Sequence, residues 1–264
     1  MVRKRDKELK ARLDALFDQW NRREYVSPDP LETLYHYDDP LEREVVGMVA
    51  SGLAYGRVSQ ILLSVNKVLA MMGSSPRSWL LEQGPRDIEA ACEGFVYRFT
   101  RGEHLAALCL GMKEAMEEFG SLKACFVSGV KKEDETLLPG LSNYVKRIRG
   151  HRNLPGHLLS DPEGKSACKK ANLFLRWMVR HDEVDPGGWD DELPASKLIV
   201  PIDTHMHKIA LALKLTQRKA ADLATAREVT KSLSRFCPED PVRYDFPLTR
   251  FGIRGELDIR DITG

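Results

Sequence analysis

Apolar side chains recur at helical spacing along most of the chain. Leu9, Leu13, Leu16, Phe17 and Trp20 make one stripe, and Val58, Ile61, Leu62, Val65, Val68, Leu69 and Met72 a second. Leu105, Leu108, Met112, Met116 and Phe119 form a third, and Ala226, Val229, Leu233 and Phe236 a fourth. Start and stop signals agree with the stripes. Asp39-Pro40-Leu41-Glu42 offers an N-cap, a proline at the first helical position and a capping-box acid, and Pro238 and Pro241 stop the helix that ends near Phe236. Only Lys197-Leu198-Ile199-Val200 hints at a strand, and Pro201 ends it. Irregular stretches fall around Pro28, Pro30 and Pro40 and over the segment from Val184 to Ser196. The pattern predicts an all-α protein.

Composition narrows the classes. The 264 residues are 30 % charged and 42 % hydrophobic, a globular balance with room for a sizeable core. No apolar run approaches the length of a spanning helix, and the first residues lack the short apolar core of a signal peptide. Five cysteines, none at zinc-type spacing, fit a reducing cytoplasm, which is the expected location. The net charge of +1 is unevenly spread. Between Asn143 and Asp182 stand nine Lys and Arg against three acids, together with three histidines, enough to neutralise several phosphates or to make a solvated basic face.

Two helix starts carry candidate chemistry. Asp203 follows Pro201 and precedes a helical pattern (Met206, Ile209, Ala210, Leu213), where a carboxylate caps free N–H groups and the helix dipole holds it ionised. Such a group can be a cap alone, or can stabilise a cationic sugar. Lys169 and Lys170 stand together near the start of a helix running through Phe174, Leu175, Met178 and Val179. A neighbouring ammonium, the dipole and partial burial all favour the neutral, nucleophilic amine; a solvent-facing pair is the plain alternative. Arg176 and Arg180, four residues apart, can flank a phosphate track. His205 and His207 suggest a metal-binding His-x-His strand end, but only 57 residues follow His207 and their pattern is helical. No metal or other cofactor is expected; His205 is assigned to a phosphate contact and His207 to the surface.

The segment Val200-Pro201-Ile202-Asp203-Thr204-His205-Met206 through Ile209-Ala210 closely resembles the catalytic-aspartate region of the helix-hairpin-helix DNA glycosylases, above all the 8-oxoguanine DNA glycosylases. Lys169-Lys170-Ala171-Asn172 resembles the Lys-x-Ala-Asn or Lys-x-Ala-Asp motif of their bifunctional members, with Lys169 in register and Lys170 one residue off. Pro40 to Val45 and Gly52 to Gly56 look like the helix and turn that open the family's helical barrel. Phe174 to Arg180 and Tyr244-Asp245-Phe246 also resemble an uncharacterised prokaryotic family related to these enzymes. There are departures. Lys165 and Ala167 stand where the hairpin has two glycines, Gly164 being displaced, so the hairpin is degenerate. The Lys169-to-Asp203 gap of 34 residues is long, as in archaeal 8-oxoguanine glycosylases, and the four-cysteine iron–sulfur loop of endonuclease III is missing.

The resemblance implies two helical subdomains with a catalytic cleft between them: residues 40–199 as the barrel with hairpin and lysine, and 1–39 joined with 200–264. It implies a monomer acting on double-stranded DNA with a damaged base, plausibly 8-oxoguanine, as a glycosylase with abasic-site lyase activity. Asp203 and Lys169 (or Lys170) would be catalytic; His205, Lys165, Arg176, Arg180 and the loop residues Leu53, Tyr55 and Arg57 would contact DNA. Phe174 and Trp177 are candidates to stack the extruded base, or core residues at helical spacing. The rival expectation is a non-catalytic helical nucleic-acid-binding protein on the same scaffold.

Overall fold

Asp39 begins the central helix as its spacing predicts. Its carboxylate accepts from the Leu41 N–H, Pro40 occupies the first turn, and α2 runs Pro40–Gly52. Glu42 does not close a capping box; its carboxylate accepts instead from the Arg77 N–H (2.8 Å) and the Ser75 hydroxyl at the start of the helix Pro76–Glu82. The computed structural model describes residues 4–164 and 166–253.

Helices dominate. In chain order they are α1 (Lys4–Trp20), α2, α3 (Val58–Met72), α4 (Pro76–Glu82), α5 (Pro85–Cys92), α6 (Gly102–Phe119), α7 (Leu122–Val127), α8 (Leu138–Arg149), α9 (Lys169–Val179), α10 (Thr204–Ala212), α11 (Leu223–Leu233) and α12 (Asp245–Ile253). A small antiparallel hairpin, β1 (Val96–Tyr97) and β2 (Thr100–Arg101), has no counterpart in the apolar periodicity. The strand hinted at Lys197–Val200 does not form. Lys197 ends a 3-10 turn, and the Val200 N–H donates to the Thr230 hydroxyl rather than to a sheet.

The core is built around α2, whose residues Glu44 to Gly52 are all buried. Helix α9 packs along it: the Phe174 ring lies so close to Gly47 that an added Cβ would come within 3.2 Å of it. On another side α6 meets α8 with Gly111 against the Ile148 carbonyl. Glu44 is a buried carboxylate that accepts from the Leu122 and Lys123 N–H groups and from the Trp189 indole, so it caps α7 and pins the 184–196 loop. Helix α1 packs on α12, and the Tyr244 hydroxyl donates to Asp14 at 2.6 Å. The five cysteines are buried and free. Among the described residues no helix is long and apolar enough to cross a membrane.

Candidate active site

Asp203 is the N-cap of α10. Its Oδ1 accepts from the His205 N–H (2.9 Å) and the Met206 N–H (2.8 Å). Capping leaves Oδ2 free to meet the Lys169 Nζ at 2.8 Å, across the 34-residue gap. Burial opposes ionisation of Asp203, but the Lys169 charge and hydrogen bond, with the two helix N–H donors, outweigh it and hold the carboxyl below the usual range. Both side chains are about one-third exposed. The group is therefore a cap and an ion-pair partner at once.

Helix α9 delivers the lysine by register. Cys168, at the N-cap, sits in the left-handed region (φ 51°) and makes no side-chain cap bond. The turn that follows puts Lys169, Leu173 and Arg176 on one face, and Lys170, Phe174 and Trp177 on the next. The first face lines a cavity of about 300 Å³ with Asp29, Pro201, Asp203, His205, Asp245, Phe246 and Thr249. Lys170 turns away from it. Its Nζ donates to the Gly52 carbonyl at 3.0 Å and lies over the Tyr55 ring, 4.5 Å from its centre. Burial first, then the Lys169 charge, lowers its pKa to about 7.

Asp245 contributes a second carboxylate to the cavity. It is 2 % exposed; Oδ2 accepts from Arg176 Nη1 at 2.6 Å, while Oδ1 is buried with no hydrogen-bond partner among the described residues. Burial raises its pKa, with Arg176 pulling the other way. The Nε2 of His205 is likewise buried without a partner at the cavity wall. Two residues that line the cavity thus each hold a desolvated polar atom without a partner among the described residues, a costly arrangement. Sequence reasoning missed Asp245, Phe246, Thr249, Leu173 and Asp29. The Tyr244-Asp245-Phe246 triplet was visible as a similarity, but nothing in its spacing assigned it to a site.

Several expected contact residues do not fit their assigned roles. Arg176 and Arg180 are 4 % exposed and form no phosphate track: Arg176 binds Asp185 and Asp245, and Arg180 binds Asp182, Asp185 and Asp240. Two buried acids around Arg176 and three buried or half-buried acids around Arg180 outcompete solvent, and hold both guanidinium groups firmly charged. Phe174 and Trp177, 1 % and 0 % exposed, are core residues and no stacking platform; Phe174 packs between Tyr144 and Trp189. Leu53 is fully buried behind the C-terminus of α2, so it cannot reach a second strand. Tyr55 is half-buried and Arg57 is exposed at the start of α3. His207, assigned to the surface, is buried with Nε2 against the Arg218 carbonyl at 2.8 Å. Lys165 lies outside the described residues.

Residues 29–254 match the model of a family described as Protein of unknown function (DUF2400), and the chain belongs to that family. No curated protein and no solved structure matches it.

Proposed function

We propose that this protein is a DNA glycosylase with abasic-site lyase activity, acting on a damaged purine, and that Lys169 and Asp203 carry the reaction. The observation that supports it is the 2.8 Å contact between the Lys169 amine and the Asp203 carboxylate at a cavity that also holds an unmatched Asp245 oxygen. The lysine and the aspartate lie far apart in sequence on two helix starts, and both are more than a structural cap requires.

The chemistry follows from those groups. Asp203, fixed by two N–H donors, stabilises positive charge developing at the sugar as the base departs with the glycosidic electron pair and gains a proton. The Lys169 nitrogen gives that proton to the departing base and bonds to C1′. Ring opening gives an iminium, and loss of a C2′ proton then expels the 3′ phosphate. Base extrusion costs a few kcal/mol, least for a lesion. The orphan Asp245 oxygen accepts hydrogen bonds only, which suits a guanine-type edge with its N1–H and N2–H donors rather than an adenine N1. That favours 8-oxoguanine among damaged purines. In this reading α8, the 150–168 connection and α9 take the place of a degenerate hairpin, and the cavity lies in the cleft between the segment 40–199 and the remainder.

The test is borohydride reduction in the presence of duplexes bearing single lesions, the protein being otherwise unmodified. A covalent adduct lost in Lys169→Ala and kept in Lys170→Ala is the expected result. Absence of any adduct across a panel of oxidised, deaminated and abasic sites would refute the proposal.

A further inference from the structure

A second basic pair, Lys170 and the nearby His157, lies beside the face of α9 next to the one that carries Lys169. Lys170 has three N–H donors; one goes to the Gly52 carbonyl, and no other hydrogen bond is made by them among the described residues. Beside the Tyr55 ring on which it rests stands His157, with ring centres 5.9 Å apart. His157 Nε2 meets the Thr100 hydroxyl at 3.0 Å, and Thr100 meets the Tyr55 hydroxyl at 2.6 Å. No carboxylate lies within ion-pair distance of Lys170 or His157 among the described residues. The nearby Glu103 is engaged by His104, whose ring is 5.8 Å from His157. The other charged or titratable groups here are Lys169, the tyrosines Tyr55 and Tyr97, and Arg98, which lies against Gly56 and the exposed Phe99.

Proton bookkeeping points outward. The Tyr55 hydroxyl also reaches the Tyr97 carbonyl at 3.1 Å; whichever acceptor it serves, if Thr100 donates to Nε2 the neutral imidazole carries its proton on Nδ1. If Nε2–H donates to Thr100 instead, the imidazolium carries one there too. Nδ1 makes no hydrogen bond among the described residues; in the Nδ1–H tautomer and in the imidazolium it is a donor open to an acceptor from solvent, and in the neutral Nε2–H tautomer it is not. Burial, then the charges of Lys170 and His104, push the His157 pKa down, a penalty that a bound anion would cancel.

We infer that Lys170 and His157 form a phosphate-binding site, filled by a backbone phosphodiester of a nucleic-acid strand that runs past Tyr55, beside the face of α9 next to the one that carries Lys169. The inference rests on the nucleic-acid half of the proposed function and not on its chemistry. It gives the basic stretch around α8 and α9 a working member that is neither Arg176 nor Arg180, both of which are consumed inside the protein.

Side-chain NMR of the full chain tests it, following the His157 ring signals during titration with an undamaged duplex and, separately, with inorganic phosphate. The expected result is a shift of His157 on adding duplex, together with a salt dependence of duplex affinity that is shallower by about one phosphate in His157→Gln. A shift with inorganic phosphate as well supports the site and shows that the group alone suffices; a shift with duplex only supports it as a strand contact. His157 signals unmoved by either ligand, or an unchanged salt slope in a His157→Gln protein that melts as the parent does, would overturn it. Borohydride trapping separates the two proposals: a responding His157 without any adduct removes the lyase and leaves the phosphate site, and the converse removes only the site.

Discussion

Arg176 Nη1 donates to Asp245 Oδ2 at 2.6 Å, with both side chains at most 5 % exposed. The same guanidinium binds Asp185 through Nε, so one arginine of α9 ties the first residue of α12 to the 184–196 loop. The second Asp245 oxygen is left without a partner among the described residues, in a residue that lines the cavity. Removing the arginine would leave the buried Asp245 uncompensated and Asp185 with Arg180 alone. Arg176→Met is expected to cost about 3–5 kcal/mol, read as a lower denaturant midpoint with an unchanged slope.

Asp203→Asn separates the cap from the charge. Asparagine caps a helix about as well as aspartate, so stability should change by no more than about 1 kcal/mol. The covalent adduct with lesion DNA should fall by about 100-fold or more, because the carboxylate beside Lys169 is gone. Thermal melts and trapping yields on the same preparation decide it.

Lys170 makes stability depend on pH. Its folded-state pKa is lowered to about 7, against about 10.4 in an unfolded chain. The unfolded state therefore binds more protons between those values, and stability rises with pH across that window. Below about pH 7 the full penalty of the buried charge is felt, and above about pH 10.4 it vanishes. Lys170→Met should flatten that slope, measured as the difference in unfolding free energy between pH 7 and pH 9.5.

Phe174→Ala should destabilise the fold by about 3–5 kcal/mol, since the ring fills the space between Gly47, Tyr144 and Trp189. A stacking residue at a surface would show almost no change. Equilibrium unfolding distinguishes the two roles without any DNA.

Gly111→Ala tests the contact of α6 with α8. Alanine is the better helix former by about 1 kcal/mol, yet its methyl would collide with the Ile148 carbonyl oxygen. Backbone cannot yield as a side-chain tip can. The net effect is expected to be a loss of about 1–3 kcal/mol, seen as a lower melting temperature.

The helices were legible because their information is local. The stripes from Leu9 to Trp20 and from Val58 to Met72 mark α1 and α3, and Asp39 and Asp203 cap their helices as their flanking residues suggest. The site was half legible. Lys169 and Asp203 could be named from their motifs, and their side chains meet. The roles of Arg176, Arg180 and Phe174 were not readable, because charge and aromaticity say nothing of which face of α9 is covered. One step of helix rotation, about 100°, separates a residue on the cavity from one in the core. Asp245 was invisible for a related reason: its partner Arg176 lies 69 positions earlier.

The Tyr244–Asp14 bond spans 230 positions of sequence. Helix α1 is translated long before α12, the helix it packs on. Its apolar stripe must wait for that partner while the intervening residues are made, so the nascent protein offers chaperones a long-lived apolar target there.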